Sequence, residues 1–473
     1  MFSQWKHKRF SIFLIVTSLL FYGSFAYQLE HTDFIKMIGL WSALFFISYK
    51  IIQLNSSDWK LLITTSLLFR VVFLFAIPNL SQDFYRFIWD GRMFLEGFNP
   101  YLSLPETWIT QGNTPIAQAQ ELYNGMGELN GSHYTNYPPI SQLCYLIAAL
   151  FAGKSILGSV IILRILIILA DIGIFFFGRK LLQSFNLPEK RIFWYILNPF
   201  IIIELTGNLH FETVMIFFII WSLYLLQKGY WYWAAVILAL SVSVKLIPLL
   251  FLPLFFQKFV LATQNSSKIS DKVLGLLKLI GFYSIVISTF FIVFLPFLST
   301  EFLANYSKTI ALWFQSFEFN ASIYFIIRWI GYQIVGWNII ETAGKILPLI
   351  VILLLLTLTF LRNNQNTPQL ITGMLLGICS YYFLSTTVHP WYISVPLSLC
   401  IFTRYKFPIV WSFVVIFSYT AYLHPDFKEN LWMVALEYLF VFGVLSIEIF
   451  KKFQSTRPTV HQNSSRDSAH FDN

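Results

Sequence analysis

Apolar runs recur from one end of the chain to the other, many of them near the roughly 17–25 residues an α-helix needs to cross a bilayer. The first three, near 10–27, 34–54 and 60–78, follow one another with short connections. Two later stretches are expected to be short re-entrant or interfacial segments: 138–152, because a full crossing there would put the basic connection 178–191 outside, and 321–337, because the same treatment puts Arg362, Arg404 and Lys406 inside. The remaining runs then predict an all-α polytopic membrane bundle of about 14 transmembrane helices. One stretch interrupts the pattern. Residues 79–137 form the longest non-hydrophobic segment, and its aromatic content predicts an ordered, functional loop. The membrane domain is expected over 1–453, and the polar tail 454–473 is expected to be disordered.

Composition sharpens this picture. The chain is 57% hydrophobic and only 12% charged, against about a quarter charged in soluble domains, and its mean hydropathy is +0.65. A net charge of +9 would suggest nucleic acid in a soluble protein, but Lys and Arg cluster in connections and read as topology signals, so no nucleic-acid partner is expected. Lys6, Lys8 and Arg9 predict a cytoplasmic N-terminus, and both termini are expected on that side. Cys144, Cys379 and Cys400 lie in apolar stretches without paired spacing, which argues against disulfides and zinc. The predicted topology puts four polar groupings on the outer side: Asp83 and Asp90, "GNLHFE" (207–212), "VHPWY" (388–392) and the loop 304–320. Lys245 falls at or just below the same surface. Ionisable groups at membrane depth are expensive and usually face a cavity or a partner, so a single external cleft is the economical arrangement.

The segment "SQDFYRFIWDGRMFLEGFNPY" (81–101) carries the most chemistry. Ser81 as N-cap and Gly97 as stop predict a helix over 82–96 lying in the membrane interface. Asp83, Arg86 and Asp90, at i, i+3 and i+7, line its polar side. A carboxylate anchored at a helix start suits proton abstraction from an acceptor hydroxyl while a membrane-borne phosphate leaves, which makes Asp83 the candidate general base. Arg86 would hold Asp83 or meet phosphate bidentately, and Asp90 would orient a sugar hydroxyl. The same spacing also suits a solvated face of paired charges.

This segment, followed by "YTNYPPISQL" (134–143), resembles the first external loop of bacterial GT-C glycosyltransferases, especially polyprenol-phosphate-mannose-dependent mannosyltransferases, and is similar to the loop of the GPI mannosyltransferase catalytic subunit. "LNPFIIIELTGNLHFE" (197–212), "VKLIPLLFLP" (244–253) and "HPWY" (389–392) extend the likeness in order along most of the chain. The resemblance implies inverting transfer from a polyprenyl-phosphate sugar, with mannose the expected sugar, to a glycan or lipid-linked glycan at the periplasmic face of the inner membrane. Asp83 corresponds to the family's loop carboxylate. Many members carry an Asp-x-Asp or Glu-x-Asp pair, but here Gln82 precedes Asp83 and Tyr85 follows Phe84, which leaves a two-carboxylate site and a metal role open. No cofactor is expected, with a divalent cation left open.

Other positions have physical reasons of their own. Tyr137, before Pro138 and Pro139, would stiffen the return into the membrane. Lys245 would neutralise donor phosphate, or snorkel to the surface. His389 would donate to phosphate, with Trp391 and Tyr392 stacking on sugar or lying in an interfacial aromatic belt. His210 and Glu212, at an outer helix start, would bind acceptor or phosphate; His210 and His389 could equally be structural. A lipid or glycan flippase, and a polymerase or ligase with another donor, share the topology and remain as alternatives.

Overall fold

The computed structural model describes residues 2–261, 269–315, 317–423 and 427–456. The tail from 457 and part of the connection 262–278 lie outside the described residues. Helices dominate, and among the described residues the sheet-like pairing is a single bridge between Phe319 and Thr387. An apolar medium offers no water to backbone N–H and C=O groups, and a helix satisfies them within its own segment. Eight helices lead into the site: α1 (Phe2–Tyr27), α2 (Phe34–Leu54), α3 (Trp59–Val72), α4 (Asp83–Leu95), α5 (Pro105–Thr110), α6 (Ala119–Gly131), α7 (Pro139–Ala152) and α8 (Ile156–Ser184).

Six helical segments among the described residues are long and apolar enough to cross a membrane: Lys8–Tyr27, Phe34–Leu54, Ile156–Ser184, Ile269–Phe297, Ile340–Phe360 and Leu431–Lys452. A bent pair, Ile201–Gly207 and Glu212–Gln227, makes a seventh if counted as one span. By length and composition the described residues thus supply six or seven full-length spans, and the expectation of about fourteen is not confirmed. The other apolar runs form helices of 10–17 residues: Pro138, Pro248 and Pro408 stand at the starts of Pro139–Ala152, Ile247–Val260 and Phe407–Leu423, and Gly336 ends Ile323–Val335. Such lengths fall short of the roughly 20 residues a perpendicular crossing requires.

Helix α4 departs from the expected interfacial helix. Phe84, Arg86 to Met93 are all buried, because α6 and α7 cover it. It begins at Asp83 rather than Gln82, with the Ser81 hydroxyl accepting from the Asp83 N–H at 3.3 Å. It ends as the sequence predicts: Gly97, at φ +83°, turns the chain while Phe98 N–H reaches the Met93 carbonyl at 2.9 Å.

Gly91 sets how closely α4 and α7 approach, since a Cβ there would stand 2.2 Å from the Tyr145 carbonyl oxygen. That obstacle is backbone, so the helices themselves must part. Gly91→Ala is expected to destabilise the protein by about 1–3 kcal/mol, the usual range for overpacking, and to lower the melting temperature of purified protein in detergent. An unchanged melt would show that the α4–α7 contact contributes nothing to stability.

Candidate active site

Asp83 stands at the first turn of α4, where the helix dipole favours an anion. Asn130, near the end of α6, donates to its Oδ1 at 3.4 Å, and the Tyr137 hydroxyl also faces the carboxylate. Burial pushes the carboxyl above its ordinary range; the nearby Lys245 ammonium and the hydrogen bond from Asn130 oppose that rise, and the Glu212 carboxylate adds to it. A base with a raised pKa holds a proton better than a free aspartate.

Lys245 follows the short helix Trp231–Val242 and forms an ion pair with Glu212, the first residue of Glu212–Gln227. The Glu212 side chain is 1% exposed and that of Lys245 18%, so the carboxylate is sealed while the ammonium keeps an open edge. Tyr392 lies within electrostatic reach of both Asp83 and Glu212. Asp83, Tyr137, Glu212, Lys245 and Tyr392 thus form one polar centre at the bend between Ile201–Gly207 and Glu212–Gln227.

Beside this centre four rings stack in series. Phe319 lies on His389 with centroids 5.3 Å apart, His389 on Trp391 at 4.5 Å, and Trp391 on His210 at 3.8 Å. Both faces of Trp391 are therefore covered by imidazoles, and at 8% exposure it is no part of a lipid-facing belt. Burial and the charge of Lys245 push His389 down to about 3, so at neutral pH it meets an anion as a neutral donor. His210 lies 3.9 Å from Glu204, whose other oxygen accepts from Tyr419 at 2.6 Å.

Arg86 and Asp90 are occupied elsewhere. They pair with each other at 2.8 Å, at 2% and 0% exposure. The Arg86 guanidinium also donates to the carbonyls of Asn130 and His133, and Gln142 donates to Asp90 at 3.0 Å. The two therefore tie the 130–142 segment to α4, and with it Asn130 and Tyr137 to Asp83.

Sequence reasoning did not single out Asn130, Phe319 or Asn208, nor three buried charges of the bundle: Arg164 and the pair Arg70–Asp171, joined at 2.7 Å. The last three carried a usable signal, since each is an isolated charge within an apolar run. Asn130 and Phe319 lie in the segments 79–137 and 304–320 that the polarity pattern marks, but nothing within those segments singles them out.

A largely apolar, helical chain with a polar centre gathered at a helix break defines a membrane protein with a candidate site built into its bundle. Residues 16–261, just over half the chain, match the family Alpha-(1->6)-mannopyranosyltransferase, N-terminal domain (MptA_B family). The chain belongs to that family, and is a glycosyltransferase of the mannosyltransferase class. The match includes Asp83, Arg86, Asp90, Tyr137, His210, Glu212 and Lys245; His389, Trp391 and Tyr392 lie beyond it. No curated protein matches the chain.

Proposed function

We propose that the protein transfers mannose from a polyprenyl-phosphate donor to a hydroxyl of a glycan or lipid-linked glycan at the periplasmic face of the inner membrane. Supporting this reading is the gathering of Asp83, Glu212 and Lys245 at one bend of the bundle, with the Lys245 ammonium left partly open. The acceptor oxygen attacks the sugar C1 with inversion as the bond from C1 to the phosphate oxygen breaks. The acceptor proton passes to Asp83, and polyprenyl phosphate leaves with its electron pair. The exposed edge of Lys245 and the neutral His389 suit the charge that grows on the leaving phosphate. Acceleration comes from positioning and charge neutralisation, and both substrates' reacting ends must reach the bend.

The test is reconstitution of purified protein with labelled polyprenyl-phospho-mannose and a cell-envelope lipid extract. Labelled glycan is expected from wild type and not from Asp83→Asn. The 111° break between Ile201–Gly207 and Glu212–Gln227 also suits a flippase, whose broken helices surround its cargo. Product formed in detergent, with no bilayer to cross, separates the two. No group of three or more His, Cys, Asp and Glu side chains among the described residues could hold a metal ion, and EDTA is expected to leave the rate within about twofold of untreated enzyme. Loss of activity restored by a divalent cation would overturn that expectation.

A further inference from the structure

Arg164 sits in the third turn of α8, is 0% exposed, and has no carboxylate within 4.0 Å among the described residues. A buried guanidinium without an anion needs other compensation. Arg164 finds it in three backbone carbonyls: Thr206 at 2.9 Å, Gly207 at 2.8 Å and Leu74 at 3.0 Å. Thr206 and Gly207 end the π-helical half of the bent pair, where the carbonyls lack helical partners and the dipole is negative. Leu74 lies just beyond the end of α3, on the segment that runs into α4.

Two further contacts join the same segments. Leu80 N–H donates to Asn208 Oδ1 at 3.1 Å, and Asn208 Nδ2 donates back to the Ile203 carbonyl at 3.2 Å. The Phe73 ring lies where a Cβ on Gly207 would come within 2.9 Å. Between Asn208 and His210 the chain turns through Leu209 at φ +63°, a left-handed conformation that leucine rarely takes. A strained turn persists only where its surroundings over-determine it. One side of this tie leads to Asp83, and the other to His210 and Glu212.

We infer that Arg164 and Asn208 are positioning residues, which lock the segment leading to Asp83 against the bend carrying Glu212 and so set the separation of the two carboxylates. Neither touches the reacting groups. This inference rests on the proposed site at its functional end, but the lock itself can be read without activity. Arg164→Lys keeps the charge, yet a single ammonium cannot reproduce a planar fork over three carbonyls. Asn208→Ala removes the second tie and leaves Arg164 in place.

The experiment compares full-length wild type, Arg164→Lys, Asn208→Ala and the remote control Lys345→Ala in lipid nanodiscs, by hydrogen–deuterium exchange and by mannosyl transfer from synthetic polyprenyl-phospho-mannose. Both positioning variants are expected to exchange at least about tenfold faster over 73–83 and 203–212 but not over 269–294. In transfer they should lose about a hundredfold in kcat with donor KM nearly unchanged, the scale expected of a 1 Å misplacement. Unchanged exchange in those segments, or faster exchange throughout, overturns the lock. Faster local exchange with wild-type kcat overturns the positioning role. If wild type itself transfers nothing from this donor, the donor assignment fails, while the exchange data still decide whether the lock exists.

Discussion

Asp83→Asn is expected to lower kcat/KM for mannosyl transfer by about a hundred- to ten-thousandfold, the usual contribution of a general base, without destabilising the protein. Asparagine keeps the shape and can still meet Asn130 and Tyr137, but it takes no proton. The stability expectation follows from the raised pKa of Asp83. A carboxyl whose folded pKa exceeds its unfolded value supports the fold while protonated, and that support is lost as pH rises through the folded pKa. Wherever Asp83 is ionised its burial is a standing destabilisation, so a neutral isostere should melt at the wild-type temperature or above it. A purely structural aspartate predicts the opposite, a lower melt. In wild type, kcat/KM should rise with pH through a limb above the ordinary carboxylate range, and that limb should be missing from the residual activity of the variant. A wild-type rate in Asp83→Asn would remove it as the base.

The apolar runs made the fold class legible, because a membrane segment must bury every backbone group in helix and announces itself by composition. Span number was less legible. Window hydropathy does not register that Pro138 delays the start of α7 to Pro139, nor that residues 201–227 bend by 111° at Asn208 to Phe211. Asp83, Glu212 and Lys245 could each be picked out as ionisable groups next to apolar runs, but their meeting depends on α4, the bend and the end of Trp231–Val242 packing together. Arg86 and Asp90 show the converse. Their helical spacing suggested a polar face toward substrate, and the same spacing equally suits an i,i+4 pair sealed under α6 and α7. For Trp391 the sequence leaves sugar stacking and an interfacial belt open, and in the fold its ring stacks on His210 and His389.

Lys245→Met is expected to lower both stability and transfer, and the two losses can be separated through Glu212. Removing one partner of a buried ion pair leaves the other charge uncompensated, which costs about 3–5 kcal/mol for fully buried pairs; the partial exposure of Lys245 places the cost at or below the lower end of that range. Adding Glu212→Gln takes away the stranded charge, so the double variant should recover most of the melting temperature. Transfer should not recover with it. If Lys245 meets the leaving phosphate, a neutral side chain there forfeits transition-state stabilisation of about 3–4 kcal/mol, or roughly two to three orders of magnitude in kcat, whatever happens at Glu212. If Lys245 acts only by holding Glu212, the double variant should regain rate as it regains stability. Melting curves and donor-dependent kinetics on the two single variants and the double variant therefore distinguish a phosphate-neutralising lysine from a structural one, because charge lost at the reacting phosphate cannot be restored by relieving strain at its neighbour.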